Sequence, residues 1–314
     1  MKRIFSLALP FAASLTFAFA GGDGWLIDFE AAKKKAAAEK KDLLVDFTGS
    51  DWCGYCIKLS EEVFGEAAFK KGVAESFVLV EIDFPNDKTK LSDETQVQNE
   101  KLSERYGIEG FPTIILMDAE GRPYGRTGYS PGGPEAYLEN LKELRKVRQA
   151  RDEGFTKASA AEGVAKAKLL SEVLEMLPPE DVAAFYGETV EEIMAHDPKD
   201  ETGFAAARAY QKALGDYEKE IEGFFGAGEF PLALKAANAF LAEHKPTGEE
   251  KQHILMTKVM VLVETRDGEG AAKQLDEIKA IAPESEIGSQ VDRMKASIVE
   301  YLSPKEGTEE GSGE

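Results

Sequence analysis

Leu43-Leu44-Val45-Asp46-Phe47-Thr48-Gly49-Ser50-Asp51-Trp52-Cys53-Gly54-Tyr55-Cys56 places an apolar run, a polar break and two cysteines in immediate succession. The run from Leu43 to Phe47 predicts a short buried strand. Thr48 to Asp51 interrupts it and supplies helix-start side chains, so a helix is expected from near Cys53 toward Phe64. The start of a helix presents free N–H groups and a partial positive charge, both of which stabilise a thiolate. Cys53, nearer that end, is therefore the expected nucleophile, and Cys56 lies about one turn further in.

Working outward, Asp28 to Lys41 is rich in Ala and Lys and predicts a helix ahead of the strand. Phe77 to Asp83 predicts a second strand, closed by Pro85, Asn86 and Asp87, and Asp93 to Tyr106 a helix. Thr113 to Met117 reads as a third strand, Asp118 to Gly121 as a turn, and Pro123 to Gly128 as a fourth strand pairing back. Pro134 to Val147 reads as a closing helix, with its proline in the first turn where a missing N–H costs little. This order predicts an α/β domain over residues 21–150, a mixed central sheet with helices on both faces.

Strand signals stop beyond Arg151, and residues 151–302 predict an all-α domain. Its expected helices include Glu180–His196, Gly203–Leu214 and Pro231–His244. Gly228-Glu229-Phe230 and Gly268-Glu269-Gly270 open similar segments 40 residues apart, and Gly215-Asp216-Tyr217 reads as a third such opening. These segments resemble degenerate tetratricopeptide-type hairpins, in which stacking buries faces that one hairpin cannot bury alone. A plain helical bundle fits the pattern equally. Residues 303–314 are rich in Gly, Ser and Glu and are expected to be a disordered tail.

The chain of 314 residues fits about two domains of roughly 100–200 residues each. Its net charge of −20 is uneven: residues 21–150 hold 18 basic and 24 acidic side chains, residues 151–314 hold 18 and 34. Such a surface repels phosphate backbones and anionic lipids, which argues against nucleic-acid partners. Lys2 and Arg3, the apolar run Ile4–Phe19 and Ala18-Phe19-Ala20 have the form of a signal peptide over residues 1–20. An uncleaved anchor is the other reading, but at about 16 residues the run is shorter than the roughly 20 needed to span a bilayer. An exported, periplasmic protein with no stable membrane insertion is expected.

Exported chains commonly carry stapling disulfides, yet this one has only 2 cysteines, and a bridge over so short a loop restricts little of the unfolded chain. The pair reads as a reagent. Zinc would need further ligands, but no third cysteine exists, and His196, His244 and His253 lack ligand spacing. No metal and no organic cofactor are expected.

Residues 43–128 resemble the thioredoxin family, in particular bacterial exported thioredoxin-like proteins related to the disulfide-reducing Dsb domains. Three blocks carry the likeness: Val45-Asp46-Phe47 with Trp52-Cys53-Gly54-Tyr55-Cys56, then Val80-Glu81-Ile82-Asp83, then Tyr106-Gly107-Ile108-Glu109-Gly110-Phe111-Pro112-Thr113. The resemblance implies a thioredoxin fold and a redox-active Cys53–Cys56 disulfide. It implies a cis bond before Pro112, whose bland alternative is a strand-start proline. It also implies a substrate surface made by Trp52, Gly54, Tyr55, Phe111, Pro112 and Gly128. Asp46 inherits the role of taking the proton from Cys56, the alternative being a plain strand-end carboxylate.

The chain departs from familiar thioredoxins in an extra residue between Asp46 and Cys53, in Leu79 where those proteins place a lysine, and in a longer Phe84–Gln98 stretch. Gly54-Tyr55 equals the pair in the periplasmic Dsb-type isomerase. The resemblance implies a reductase or isomerase of protein disulfides, reset by a redox partner. The competing reading is a binding or chaperone-like protein whose helical domain recruits partners while the thioredoxin domain docks.

Overall fold

The computed structural model of the chain describes residues 24–303, so the expected signal peptide and all but Ser303 of the expected tail lie outside the described residues. Two compact units are present, one ending at Thr202 and one beginning at Gly203.

The first unit is built on five strands: β1 (Trp25–Leu26), β2 (Asp42–Thr48), β3 (Phe77–Asp83), β4 (Thr113–Met117) and β5 (Pro123–Thr127). Their spatial order is β1-β3-β2-β4-β5; β3 runs parallel to β1 and β2, while β4 is antiparallel to β2 and β5. All seven residues of β2 are buried, because strands flank it on both sides and helices cover both faces. Alternation still sorts its side chains. Leu43, Val45 and Phe47 pack with Phe29, Ala32 and Ala36 of α1 (Phe29–Glu39) and with Leu102 of α4 (Asp93–Arg105). Leu44 and Asp46, of opposite parity, face the other layer. There lie α2 (Gly54–Leu59), its continuation as one π-helical turn (Ser60–Phe64), α3 (Ala67–Val73) and α5 (Gly133–Ser159).

Helix starts follow the expected chemistry. Asp28 Oδ1 accepts the Ala31 N–H at 2.9 Å ahead of α1, and the Ser92 hydroxyl accepts the Thr95 N–H ahead of α4. Gly121 takes φ +82° in the turn between β4 and β5, where its carbonyl accepts the buried Tyr106 hydroxyl.

Helix α5 runs to Ser159 rather than ending near Val147, and α6 (Gly163–Glu175), α7 (Pro179–Phe185) and α8 (Gly187–His196) belong to the same compact unit. Contacts thus divide the chain after 202, whereas the loss of strand signals placed the change of character at 150. The stitching is polar. Arg151, 1% exposed, donates to Asp118 Oδ2 at 3.0 Å and to the Tyr186 hydroxyl at 2.8 Å. The Tyr186 hydroxyl in turn donates to the Pro123 carbonyl, and Arg126 pairs with the buried Asp181. Phe185 stacks on Tyr106 at 4.8 Å. The helix expected over Glu180–His196 is two helices, broken at Tyr186, whose hydroxyl is committed to this network.

The second unit holds α9 (Phe204–Ala227), α10 (Phe230–His244), α11 (Gly248–Glu264), α12 (Gly268–Ile281) and α13 (Glu286–Leu302), each packed on the next in sequence. Gly228, with φ +71°, ends α9, and Gly268 opens α12, so two of the expected repeat openings fall at helix junctions. The third does not: Gly215-Asp216-Tyr217 lies inside α9. A glycine within a helix costs only about 1 kcal/mol against alanine, and the apolar face through Tyr217 and Ile221 outweighs that of Gly215.

Candidate active site

The cysteines sit where β2 hands over to α2. Ser50 anchors the connecting loop by giving its N–H and hydroxyl to Asp83 at 2.9 and 2.6 Å. Asp51 fixes it to the following segment, accepting from Lys90 Nζ and the Asn86 N–H; these bonds hold its carboxyl down at about 2. Cys53 is the N-cap residue of α2, with extended backbone, and its Sγ accepts the Cys56 N–H at 3.3 Å. The helix start thus directs an N–H at the sulfur, the arrangement that stabilises negative charge there once the bond opens. Cys53 and Cys56 form a disulfide with Cα atoms 5.2 Å apart. Both residues are buried, Cys53 at 8% and Cys56 at 3% exposure.

Around the pair stands an aromatic surface. Trp52 is 47% exposed; its Nε1–H donates to the Phe84 carbonyl at 2.7 Å and its ring meets Phe111 edge-on at 5.7 Å. Phe111–Pro112 is a cis peptide. Gly128 lies so close to the Pro112 carbonyl that a Cβ there would come within 3.1 Å of its oxygen, whereas a Cβ on Gly54 would meet open space. Tyr55 is 61% exposed and packs on Tyr129 at 5.4 Å, and the Tyr129 hydroxyl donates to Glu62. The fold therefore brings Trp52 to Phe111 and Pro112 to Gly128, and sets Tyr55 against Tyr129, which the sequence reading missed.

Beneath the pair, Cys56, Asp46 and Glu81 line one cavity of 340 Å³, with Trp25, Thr48 and Phe64. Asp46 Oδ1 is buried without a hydrogen-bond partner among the described residues. Burial, with Glu81 and Asp83 adding to it, pushes the Asp46 carboxyl well above the usual carboxylate range. Burial and then Asp83 push Glu81 up to about 7.

Glu81 is the second residue that the sequence reading missed. It sits in the quoted block Val80-Glu81-Ile82-Asp83, and parallel pairing sets it directly beside Asp46. The signal was an acidic residue amid a buried-type strand. Leu79, which replaces the familiar lysine, pairs with Leu44 and Trp25 instead.

Comparison with known proteins agrees with this geometry. Residues 29–143 match the family described as thioredoxin-like domain. The disulfide bond reductase DsbH of Chlamydia pneumoniae is 34% identical over 120 residues, covering 38% of this chain and 72% of the relative. The thioredoxin-related protein DsbJ of the same organism is 32% identical over 125 residues, 40% of this chain and 36% of DsbJ. A solved structure titled DsbH Oxidoreductase aligns with 29% identity and a TM-score of 0.37, covering 46% of this chain and 95% of that one. With a cysteine pair at the start of α2 and a 34% identical Dsb-type relative covered over 72% of its length, the chain belongs to the thioredoxin-like family of thiol–disulfide oxidoreductases.

Proposed function

We propose that this protein reduces or reshuffles disulfides in exported proteins, with Cys53 as nucleophile, Cys56 as resolving thiol and Asp46 as its base. The observation that carries the direction is the acidic cavity, which the buried Asp46 and the half-buried Glu81 line together with Cys56. Charge that these carboxyls gain disfavours a thiolate in the pair, which weakens the dithiol relative to the disulfide and makes the pair a better electron donor. DsbH, the relative sharing 34% identity, carries the name of a reductase.

In the forward sense, the Cys53 thiolate attacks one sulfur of a substrate disulfide and expels the other as a thiolate. Cys56 then gives its proton to Asp46 in its ionised form and attacks Cys53 Sγ. The mixed disulfide breaks, the second substrate sulfur leaves as a thiol after protonation, and Cys53–Cys56 becomes a disulfide. Two electrons pass to the substrate, so a separate redox partner must return two to the enzyme. The reaction draws on no metal or organic cofactor in this account.

Trp52, Gly54, Tyr55, Phe111, Pro112 and Gly128 form the surface on which we place the substrate chain. Export is supported by the basic start and apolar run of residues 2–19, and no helix among the described residues is long and apolar enough to cross a membrane. Packing of each helix of the second unit on the next supports the tetratricopeptide-like reading.

The deciding measurement is the equilibrium potential of the Cys53–Cys56 pair in glutathione buffers near pH 7. A value near the roughly −270 mV of thioredoxin supports reduction, whereas one near roughly −120 mV would make the protein an oxidant and overturn the direction.

A further inference from the structure

Beside Trp52 lies a second cavity, of 240 Å³, which the exchange chemistry does not use. Trp52, Phe84, Pro85 and Leu91 give it apolar walls, and the exposed Lys88 and Glu100 contribute its charges. Much of this wall comes from the Phe84–Gln98 stretch, the part of the chain that is longer than in familiar thioredoxins.

The indole that forms one wall is fixed on three sides. Its N–H is bound to the Phe84 carbonyl, its face meets the Phe111 ring edge-on, and Gly49 packs so close that a Cβ there would lie 2.6 Å from the ring. The deeper polar side chains are already engaged. Asp83 accepts from Ser50, Asn99 Nδ2 donates to the Asp83 carbonyl, and Gln96 Nε2 donates to the carbonyls of Lys88 and Leu91. A ligand entering here meets mainly carbon, with the exposed side chains of Asn86, Lys88 and Glu100 as the polar groups left open to it.

Two features identify the occupant. The volume of 240 Å³ falls below the roughly 300–1,000 Å³ of pockets for whole small molecules, and suits one side chain. The cavity also shares Trp52 with the exchange surface, one residue from Cys53, and Phe84 packs on Phe111 at 5.2 Å, next to the cis Pro112. A polypeptide lying across the cysteine pair passes this opening. We propose that the cavity beside Trp52 is a specificity pocket that takes an apolar side chain of the substrate polypeptide close to the cysteine under attack. The inference rests on the reading that Cys53 attacks protein disulfides.

The test uses the full chain, reduced, in single-turnover exchange with short peptide disulfides. One peptide has alanine at the two positions on either side of its cysteine; four others carry a single leucine at one of those positions. Glutathione disulfide, which has no apolar side chain to place, is the control. At least one leucine peptide is expected to react about tenfold faster than the alanine peptide, the discrimination that apolar pockets of this kind supply. Leu91→Glu, which puts a carboxylate in the wall, is expected to abolish that preference while leaving the glutathione rate unchanged. Leu91→Ala keeps the wall apolar and enlarges it, so a further peptide with phenylalanine at the preferred position should gain on its leucine counterpart. Equal rates for all five peptides in the wild type, or a preference untouched by both variants, overturn the pocket alone. A reduced protein that exchanges with neither peptides nor glutathione disulfide overturns the proposed function and the pocket with it.

Discussion

Replacing Glu81 by Gln removes a carboxyl group that the fold holds in an unfavourable place, and the effect has a pH signature. The carboxyl rises from an ordinary 4.5 to about 7 in the folded protein, through burial first and the neighbouring Asp83 second. A raised carboxyl binds its proton more tightly folded than unfolded, so the stability it contributes is full below about pH 4.5. It is then lost as pH climbs through 7, at a limiting slope of about 1.4 kcal/mol per pH unit. Across that window the wild type loses about 2–3 kcal/mol relative to Glu81→Gln, once partial exposure of the side chain is allowed for. Any constant offset from the amide is the same at every pH and drops out. Urea denaturation of the oxidised proteins from pH 4.5 to 8.5 measures the difference. Tryptophan fluorescence reports on the sheet-bearing unit alone, because both tryptophans, Trp25 and Trp52, lie within it. The difference between variant and wild type should grow with pH and level off above 7. A difference that stays flat to within about 0.5 kcal/mol would refute the assignment of Glu81 as a buried, neutral-leaning carboxyl.

Asp46→Asn should leave capture of a substrate disulfide by Cys53 intact but slow the attack of Cys56 by about 10²-fold or more, seen as accumulation of the mixed disulfide in quenched-flow samples. Resolution at the wild-type rate would remove Asp46 from the chemistry. Arg151→Met leaves the fully buried Asp118 with Arg122 as its remaining cationic partner and frees the Tyr186 hydroxyl, and should cost about 3 kcal/mol in urea denaturation. A chain ending at 150 loses Arg151, Asp181 and Tyr186 together and should fail to unfold cooperatively, whereas one ending at 202 keeps a cooperative transition and exchange with glutathione disulfide. Equal behaviour of the two truncations would show that α6–α8 contribute nothing to the fold of the sheet.

β2, β3 and β4 were legible because each is a compact apolar run bounded by turn residues, β5 because it follows the Asp118–Gly121 turn, and the cysteine pair marks the start of α2. β1 is only two residues long and α3 only seven, too short for periodicity to register. The extent of the first unit was hidden for a different reason. Its later helices are held by Arg151, Asp118, Arg126 and Asp181, and a charged residue on an amphipathic helix reads as solvated until its partner is seen. Glu81 was hidden likewise. Its position beside Asp46 depends on the register of parallel β2 and β3, which no local pattern specifies. The cysteines, Trp52, Pro112 and Gly128 carried their own local signals; Tyr129, Trp25 and Glu81 acquire meaning only through contacts distant in sequence.

Those distant contacts bear on which way electrons flow. The helix start stabilises a thiolate at Cys53, since the Cys56 N–H already points at its sulfur. Taken alone, that would favour the reduced pair and push the protein toward oxidising its substrates. The carboxyls of Asp46 and Glu81 act in the opposite sense: burial keeps them protonated above the usual carboxylate range, and the charge they gain as pH rises penalises a thiolate in the pair. Both effects enter the stability of the dithiol and hence the single potential of the pair, with opposite signs. Above about pH 7, Glu81 gains charge, a thiolate in the pair becomes costlier, and the dithiol becomes a stronger donor beyond the pH dependence of an isolated pair. The potential of Glu81→Gln should therefore be less negative than that of the wild type at pH 8 and converge with it at pH 5. A constant gap between the two would place the control of direction elsewhere than in this carboxyl pair.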